Sequence, residues 1–155
     1  MLAAYRTLPG YHPEPDYEAD LRDAGHRAEV AEVLVAVDSA GQVQGAVTYV
    51  PGPGNEYAEW DDQDAAGFRM LAVAPAAQGR GVGEALVRAC IDRARGDGRG
   101  RLVLHSTPWM TTAHRLYERL GFRRAPGRDF APVPTVSLLG FELDLRAGGQ
   151  SSQRA

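Results

Sequence analysis

Residues 68–87 read Phe-Arg-Met-Leu-Ala-Val-Ala-Pro-Ala-Ala-Gln-Gly-Arg-Gly-Val-Gly-Glu-Ala-Leu-Val. Met70, Leu71, Ala72 and Val73 form an apolar run without a polar break, the pattern of a strand covered on both faces. Pro75 stops that strand, because it has no N–H for a sheet ladder. From Glu84 the period changes: Val82, Leu86, Ala89, Cys90 and Ala94 recur at helical spacing. Between strand and helix lies Gln78-Gly-Arg-Gly-Val-Gly83. Its glycines permit positive φ and leave the backbone uncovered. The helix that follows has unpaired amides and the positive end of its dipole at this point. Such a turn suits a phosphate or pyrophosphate.

Two common glycine turns are poor matches. A Walker A loop requires Gly-Lys-Ser/Thr, and all 17 basic residues of this chain are arginine. A dinucleotide fingerprint requires Gly-x-Gly-x-x-Gly and an acid about 20 residues on, after a second strand. Here the order is Gly79-x-Gly81-x-Gly83, and the next strand does not end in an acid.

A chain of 155 residues is expected to form one domain, over residues 1–146, with a flexible tail at 147–155. A net charge of −3 gives no electrostatic footprint for nucleic acid or an anionic membrane. No apolar run approaches bilayer length and Met1–Gly10 has no signal-peptide pattern, so a cytoplasmic protein is expected. The one cysteine, Cys90, falls on the apolar face of the helix after Gly83 and reads as a buried structural thiol.

Residues 14–28 read as one helix with Tyr17, Leu21 and Ala24 inward. Ala31–Asp38 and Gln42–Val50 read as a hairpin whose turn places Gly41 in the left-handed region. Residues 55–66 read as an acidic loop. Arg101–Ser106 is the next strand. Thr111 or Thr112 is expected to cap a helix with the stripe Ala113, Leu116, Tyr117 and Leu120, and Gly121 to follow its end. A short strand at 122–124, a loop at 126–134 and a last strand at 136–145 complete the chain. The order indicates an α/β layered sheet of mixed direction, flanked by helices on both faces.

These residues resemble the GNAT superfamily of N-acetyltransferases, which use acetyl-coenzyme A. Leu71-Ala-Val73-Ala-Pro75, Gln78-Gly-Arg-Gly81-Val-Gly83 and the helix from Glu84 match its motif A at every defined position. Ala113, Leu116, Tyr117, Glu118, Gly121 and Phe122 match its motif B. Met110 stands where that motif has Asn, a residue that in relatives often contacts the coenzyme arm. The family's first strand has only Tyr5-Arg-Thr-Leu8 as a counterpart. The matches cover roughly residues 30–145.

The resemblance implies direct acetyl transfer to a primary amine, small-molecule or peptide, through a ternary complex, without metal, by a monomer or homodimer. It implies that the main chain of Leu71, Ala72 and Val73 pairs with the pantetheine arm and that the amides of Gly79, Arg80, Gly81, Val82, Gly83 and Glu84 hold the pyrophosphate. Gln78 either caps the loop or contacts the coenzyme, and Arg80 either reaches a phosphate or stays solvated. Tyr117 is then the acid for the leaving sulfur; by spacing alone it is a core aromatic. His105 ends a strand, where α/β sites collect, and reads either as a general base or as a hydrogen-bonded histidine. His114 reads as a surface residue. Glu59, Trp60 and Trp109 are candidates for the acceptor pocket, beside the acids Glu56, Asp61, Asp62 and Asp64, which attract a cationic amine or are merely solvated. A second functional reading is a coenzyme A-binding sensor or assembly module without catalysis.

Overall fold

The computed structural model describes residues 15–146. The possible first strand at 5–8 and the tail at 147–155 lie outside them. The elements are α1 (Pro15–Arg22), α2 (Ala24–Val30), β1 (Glu32–Val37), β2 (Val43–Val50), β3 (Ala65–Val73), a 3-10 turn (Pro75–Ala77), α3 (Val82–Gly96), β4 (Arg101–Ser106), α4 (Thr111–Arg119), β5 (Arg123–Arg124), a second 3-10 turn (Pro126–Arg128), β6 (Phe130–Val133) and β7 (Val136–Asp144). Among the described residues the strands form one sheet in the order β1-β2-β3-β4-β7-β5, with β6 on β7. Of these described strands, only β3 and β4 pair in parallel, joined by the crossover helix α3.

The sheet has a core on each face. On one, α3 and α4 bury Leu86, Val87, Cys90 and Tyr117 against Val47, Tyr49, Phe68, Leu102 and Leu104. On the other, Leu21 packs with Val50, Tyr57, Met70 and Ala72. Cys90 is fully buried, and burial pushes its thiol up to about 12, so it has no nucleophilic role at neutral pH.

Several boundaries depart from the sequence reading. The helix expected over 14–28 breaks at Asp23, whose carboxylate accepts the His26 N–H and starts α2. Leu21 is buried as expected, Ala24 is exposed, and the Tyr17 side chain lies outside the description. The third strand starts at Ala65, inside the stretch read as an acidic loop, because Ala65, Ala66 and Gly67 pair with Arg101–Val103. Residues 126–134 hold a 3-10 turn and β6, whose Pro132 is tolerated because β6 is an edge strand pairing only with β7. Met110, not a threonine, occupies the α4 N-cap position and gives no side-chain bond.

Other turns follow the local chemistry. Gly41 has φ +79° in the β1–β2 turn, where Asp38 Oδ1 accepts from the amides of Ala40 and Gln42. Gly121 has φ +100° beyond α4; its N–H bonds to the Glu118 carbonyl, and that of Phe122 to the Tyr117 carbonyl. This Schellman closure swings Phe122 onto Tyr117.

Candidate active site

The site is a gap between two parallel strands. β3 and β4 pair only from Ala65, Ala66 and Gly67 to Arg101, Leu102 and Val103. β3 continues to Val73 against β2, and β4 to Ser106 against β7, with no mutual pairing. The edge of β3 that faces away from β2 is therefore open beyond Gly67. Ala74 N–H donates to Gln44 O on the β2 side, whereas the Val73 carbonyl accepts from Gln78 Nε2 on the other.

A bulge marks the same segment. Ala46 and Thr48 of β2 lie two residues apart, but their partners Ala72 and Arg69 lie three apart. Met70 takes up the extra residue at φ +57°, the one non-glycine positive φ among the described residues. The side-chain alternation shifts by one. Phe68 and Leu71 belong to the α3/α4 face, while Arg69, Met70 and Ala72 belong to the other. The unbroken apolar run around Met70 hides this from the sequence.

Beyond Val73 the chain makes the 3-10 turn and enters α3 through Gly79 (φ +78°) and Gly81 (φ +80°). Gly81 is the N-cap, and no side chain caps the helix. The first-turn amides of α3 thus lie exposed behind two residues whose backbone disfavours any Cβ. This arrangement fits a pyrophosphate. Glu84 in that turn is charge-balanced: Arg119 Nη2 bonds its carboxylate at 3.0 Å and Arg88 lies at 3.6 Å, and the Arg119 bond first of all holds its carboxyl below the usual range. Arg80 is exposed.

Tyr117 and His105 stand on opposite faces of the sheet. Tyr117 is buried, with its ring 5.9 Å from Phe68, Phe122 and Phe141. His105 is half-buried on the strand face opposite Leu102 and Leu104. Its Nε2 lies 2.9 Å from the Arg128 carbonyl, and Phe130 packs edge-on at 4.9 Å. A carbonyl only accepts, so Nε2 is the donor here, and in the neutral tautomer this selects, Nδ1 is the acceptor. His114 is not a surface residue. It is half-buried against Phe141, its Nε2 lies 3.0 Å from Ser106 Oγ, and burial lowers its pKa, opposed by a bond to the Thr107 main chain. Its place one turn before Glu118 gave no sign of this.

Most of the acidic stretch is engaged within the protein. Glu56 pairs with His26 at 2.8 Å and Glu59 with Arg69 at 3.3 Å. Asp62 accepts two bonds from Arg101 and one from Arg128, and Asp64 bonds Arg146 and the Gly100 N–H. Asp61 is exposed. Trp60 donates to Ala65 O and covers Gly67, where a Cβ would lie 2.4 Å from its ring. Trp109 is half-buried in the turn after β4. Among the described residues no group of acids, histidines and cysteines could hold a metal ion, and no helix is long and apolar enough to cross a membrane.

Comparison with known proteins bears on the family and the fold. The model of the acetyltransferase (GNAT) family matches residues 2–122. A mycothiol acetyltransferase from Arthrobacter sp. (strain FB24) is 33% identical over 129 residues, which cover 79% of this chain and 38% of that protein. The chain thus spans well under half of that relative. A GCN5-related N-acetyltransferase from Kribbella flavida is 28% identical with a TM-score of 0.61, over 92% of this chain and 84% of that one. A GNAT-family protein from Desulfovibrio desulfuricans superposes with a TM-score of 0.67 at 21% identity, over 93% and 91% of the two chains.

Proposed function

Since the chain belongs to the acetyltransferase (GNAT) family, we propose that it is an N-acetyltransferase carrying acetyl from acetyl-coenzyme A to a primary amine, by direct attack in a ternary complex. The observation that carries this reading is the break in β3–β4 pairing after Gly67, directly ahead of a bulge and an uncapped glycine turn. A bound thioester supplies the activated acyl group. The amides of residues 79–84 would hold its diphosphate. The main chain of Leu71, Ala72 and Val73 would pair with its pantetheine arm, and one of these amides would polarise the acyl carbonyl as charge develops there. Gln78, already bonded to the Val73 carbonyl, would brace that edge.

An alkyl amine has a pKa about three units above neutrality and must lose a proton before it attacks. His105 is the base in this reading: its Nε2–H is committed to Arg128, leaving Nδ1 to accept. Tyr117, held among Phe68, Phe122 and Phe141, gives a proton to the departing sulfur. Their placement on opposite faces supports amine entry from one side and coenzyme from the other. Trp60 and Trp109 would bound the amine's path. The setting in this reading is cytoplasmic, with Cys90 a buried free thiol.

The test is calorimetric titration with acetyl-coenzyme A, followed by thiol release against a panel of amines. Binding with turnover of at least one amine is expected. No binding overturns the reading, and binding without transfer to any amine favours a non-catalytic coenzyme-binding module. In Tyr117→Phe, kcat should fall while acetyl-coenzyme A affinity changes little; equal loss of both removes Tyr117 from the proposed role.

A further inference from the structure

We infer that Arg69 receives a carboxylate carried by the acceptor, so that the substrates are amines bearing a nearby anionic group, such as amino acids or short peptides. This rests on the transferase reading above and narrows it.

The placement of Arg69 follows from the alternation ahead of the bulge. Phe68 packs on the α3/α4 face, so Arg69 points to the other, the face of Tyr57, which also presents His105. The extra residue at Met70 then keeps Met70 on that same face. Arg69 is the last residue of β3 before the bulge, and β4 has already left the strand two residues earlier, at Gly67. A cation thus stands beside the open edge, on the side from which the amine would enter.

The guanidinium is fixed but incompletely satisfied. It lies over the Tyr57 ring, 5.7 Å from its centroid, and Nη1 makes a long 3.4 Å bond to the Tyr57 carbonyl. Glu59 Oε1 lies 3.3 Å from Nε, yet Nε is buried without an aligned acceptor, and no described residue bonds Nη2. The cross-strand neighbour Thr48 also has a buried hydroxyl without a partner. An arginine cannot shed its charge, and buried donors without partners are uncommon enough to need a cause. The edge formed by Nε and Nη2 is the one that grips a carboxylate through two parallel bonds. Arg69 keeps 21% of its side-chain surface exposed, but Nε itself is buried with Glu59 beside it, so a carboxylate reaches this edge only as Glu59 moves away. Glu59 then acts as a resident counter-charge that an incoming carboxylate displaces.

The experiment compares matched acceptors with the full chain: L-amino acids and dipeptides against their C-terminal amides, assayed by thiol release. The acids should be preferred by about tenfold or more in kcat/KM, the range of a charge-assisted pair. In Arg69→Gln that preference should collapse toward one through KM for the acids, with KM for acetyl-coenzyme A unchanged. Arg69→Lys should restore part of it. Glu59→Gln, which removes the competing carboxylate, should sharpen it. Equal use of acids and amides by the native protein overturns the proposal, as does a loss in Arg69→Gln that falls equally on both. If no amine is turned over, the transferase reading fails separately; calorimetry of the same pairs on the coenzyme-loaded protein still reads the preference, and its absence there overturns the assignment of Arg69.

Discussion

Gly67 and Gly81 stand at opposite ends of one strand–turn–helix unit and are required for opposite reasons. Gly67 has ordinary backbone angles but no room: a Cβ would meet Trp60 at 2.4 Å and the Val103 carbonyl at 2.8 Å. Gly81 has open space, with nothing within 4 Å of a Cβ, but φ is +80°. The first glycine belongs to the closed end, where β3 and β4 pair and Trp60 seals the joint. The second belongs to the open end, where the strands have parted and backbone is left bare. The same residue type thus serves packing at one end and leaves backbone bare at the other, and the proposed coenzyme site lies where pairing stops.

Breaking the closed end should have the largest effect. Gly67→Val forces two methyls and a Cβ into the Trp60 ring and should cost about 3 kcal/mol or more. Chemical denaturation would measure it, and a loss smaller than that of Gly81→Ala would dissolve the contrast. Asp62→Ala comes next. It strips the shared carboxylate from Arg101 and Arg128, which lie 39 and 66 residues away along the chain. Its partners are partly exposed, so about 2 kcal/mol is expected, below the cost of breaking a fully buried pair. Coenzyme affinity should not change.

The sign of the acid response follows. The Arg101 bond, then that of Arg128, holds the Asp62 carboxyl well below the usual carboxylate range in the folded state. A depressed folded pKa means its stabilisation is complete above the unfolded value near pH 4 and is lost as pH falls toward the folded value. Asp62→Ala should therefore lose stability less steeply below about pH 4 than the native protein. Parallel acid-side curves would show that other carboxylates dominate.

Gly81→Ala probes the open end. Placing a Cβ at positive φ costs about 1 kcal/mol, with no clash added. The larger consequence should be functional: a methyl before the first-turn amides of α3 should weaken acetyl-coenzyme A binding by about tenfold. Calorimetry would separate the two. A stability loss with unchanged affinity would move the diphosphate away from this turn.

The open end was legible in sequence because its determinants are local. Strand, proline, glycines and helix follow within 20 residues, and Ala113, Leu116, Tyr117, Gly121 and Phe122 fall within a second stretch of ten, 113–122. The closed end was not, because it is assembled across the chain. Asp62 looked like one acid in a solvated loop, but it lies beneath arginines from β4 and from the turn after β5. Ala65-Ala-Gly67 lacks the β-branched residues that announce a strand, and gains its place by pairing with β4. The Met70 bulge left no mark, because an all-apolar run shows no alternation to be broken. Pro132 and Pro134 made β6 read as loop.

The smallest effect should come from the segment that joins the two ends on the face that Arg69 occupies. Residues 55–60 are tied to α2 by His26, whose Nε2 lies 2.8 Å from Glu56 Oε1. The hydrogen bond to Glu56, then its charge, raises the His26 pKa above its ordinary value. Glu56→Gln should lower it again, as read by NMR titration of the imidazole. Both side chains are well exposed, so the effect on stability should be slight. It also has a direction. A raised folded pKa means the stabilisation is full below the unfolded value near pH 6.5 and disappears as pH rises through the folded value. The native protein and Glu56→Gln should thus differ in Tm at acidic pH and converge at alkaline pH. If His26 titrates alike in both, the segment is held instead by Asn55 on the Val30 carbonyl and by Arg69 on the Tyr57 carbonyl. It would then belong with the packed, closed end, and Arg69 would be less free to exchange Glu59 for an incoming carboxylate.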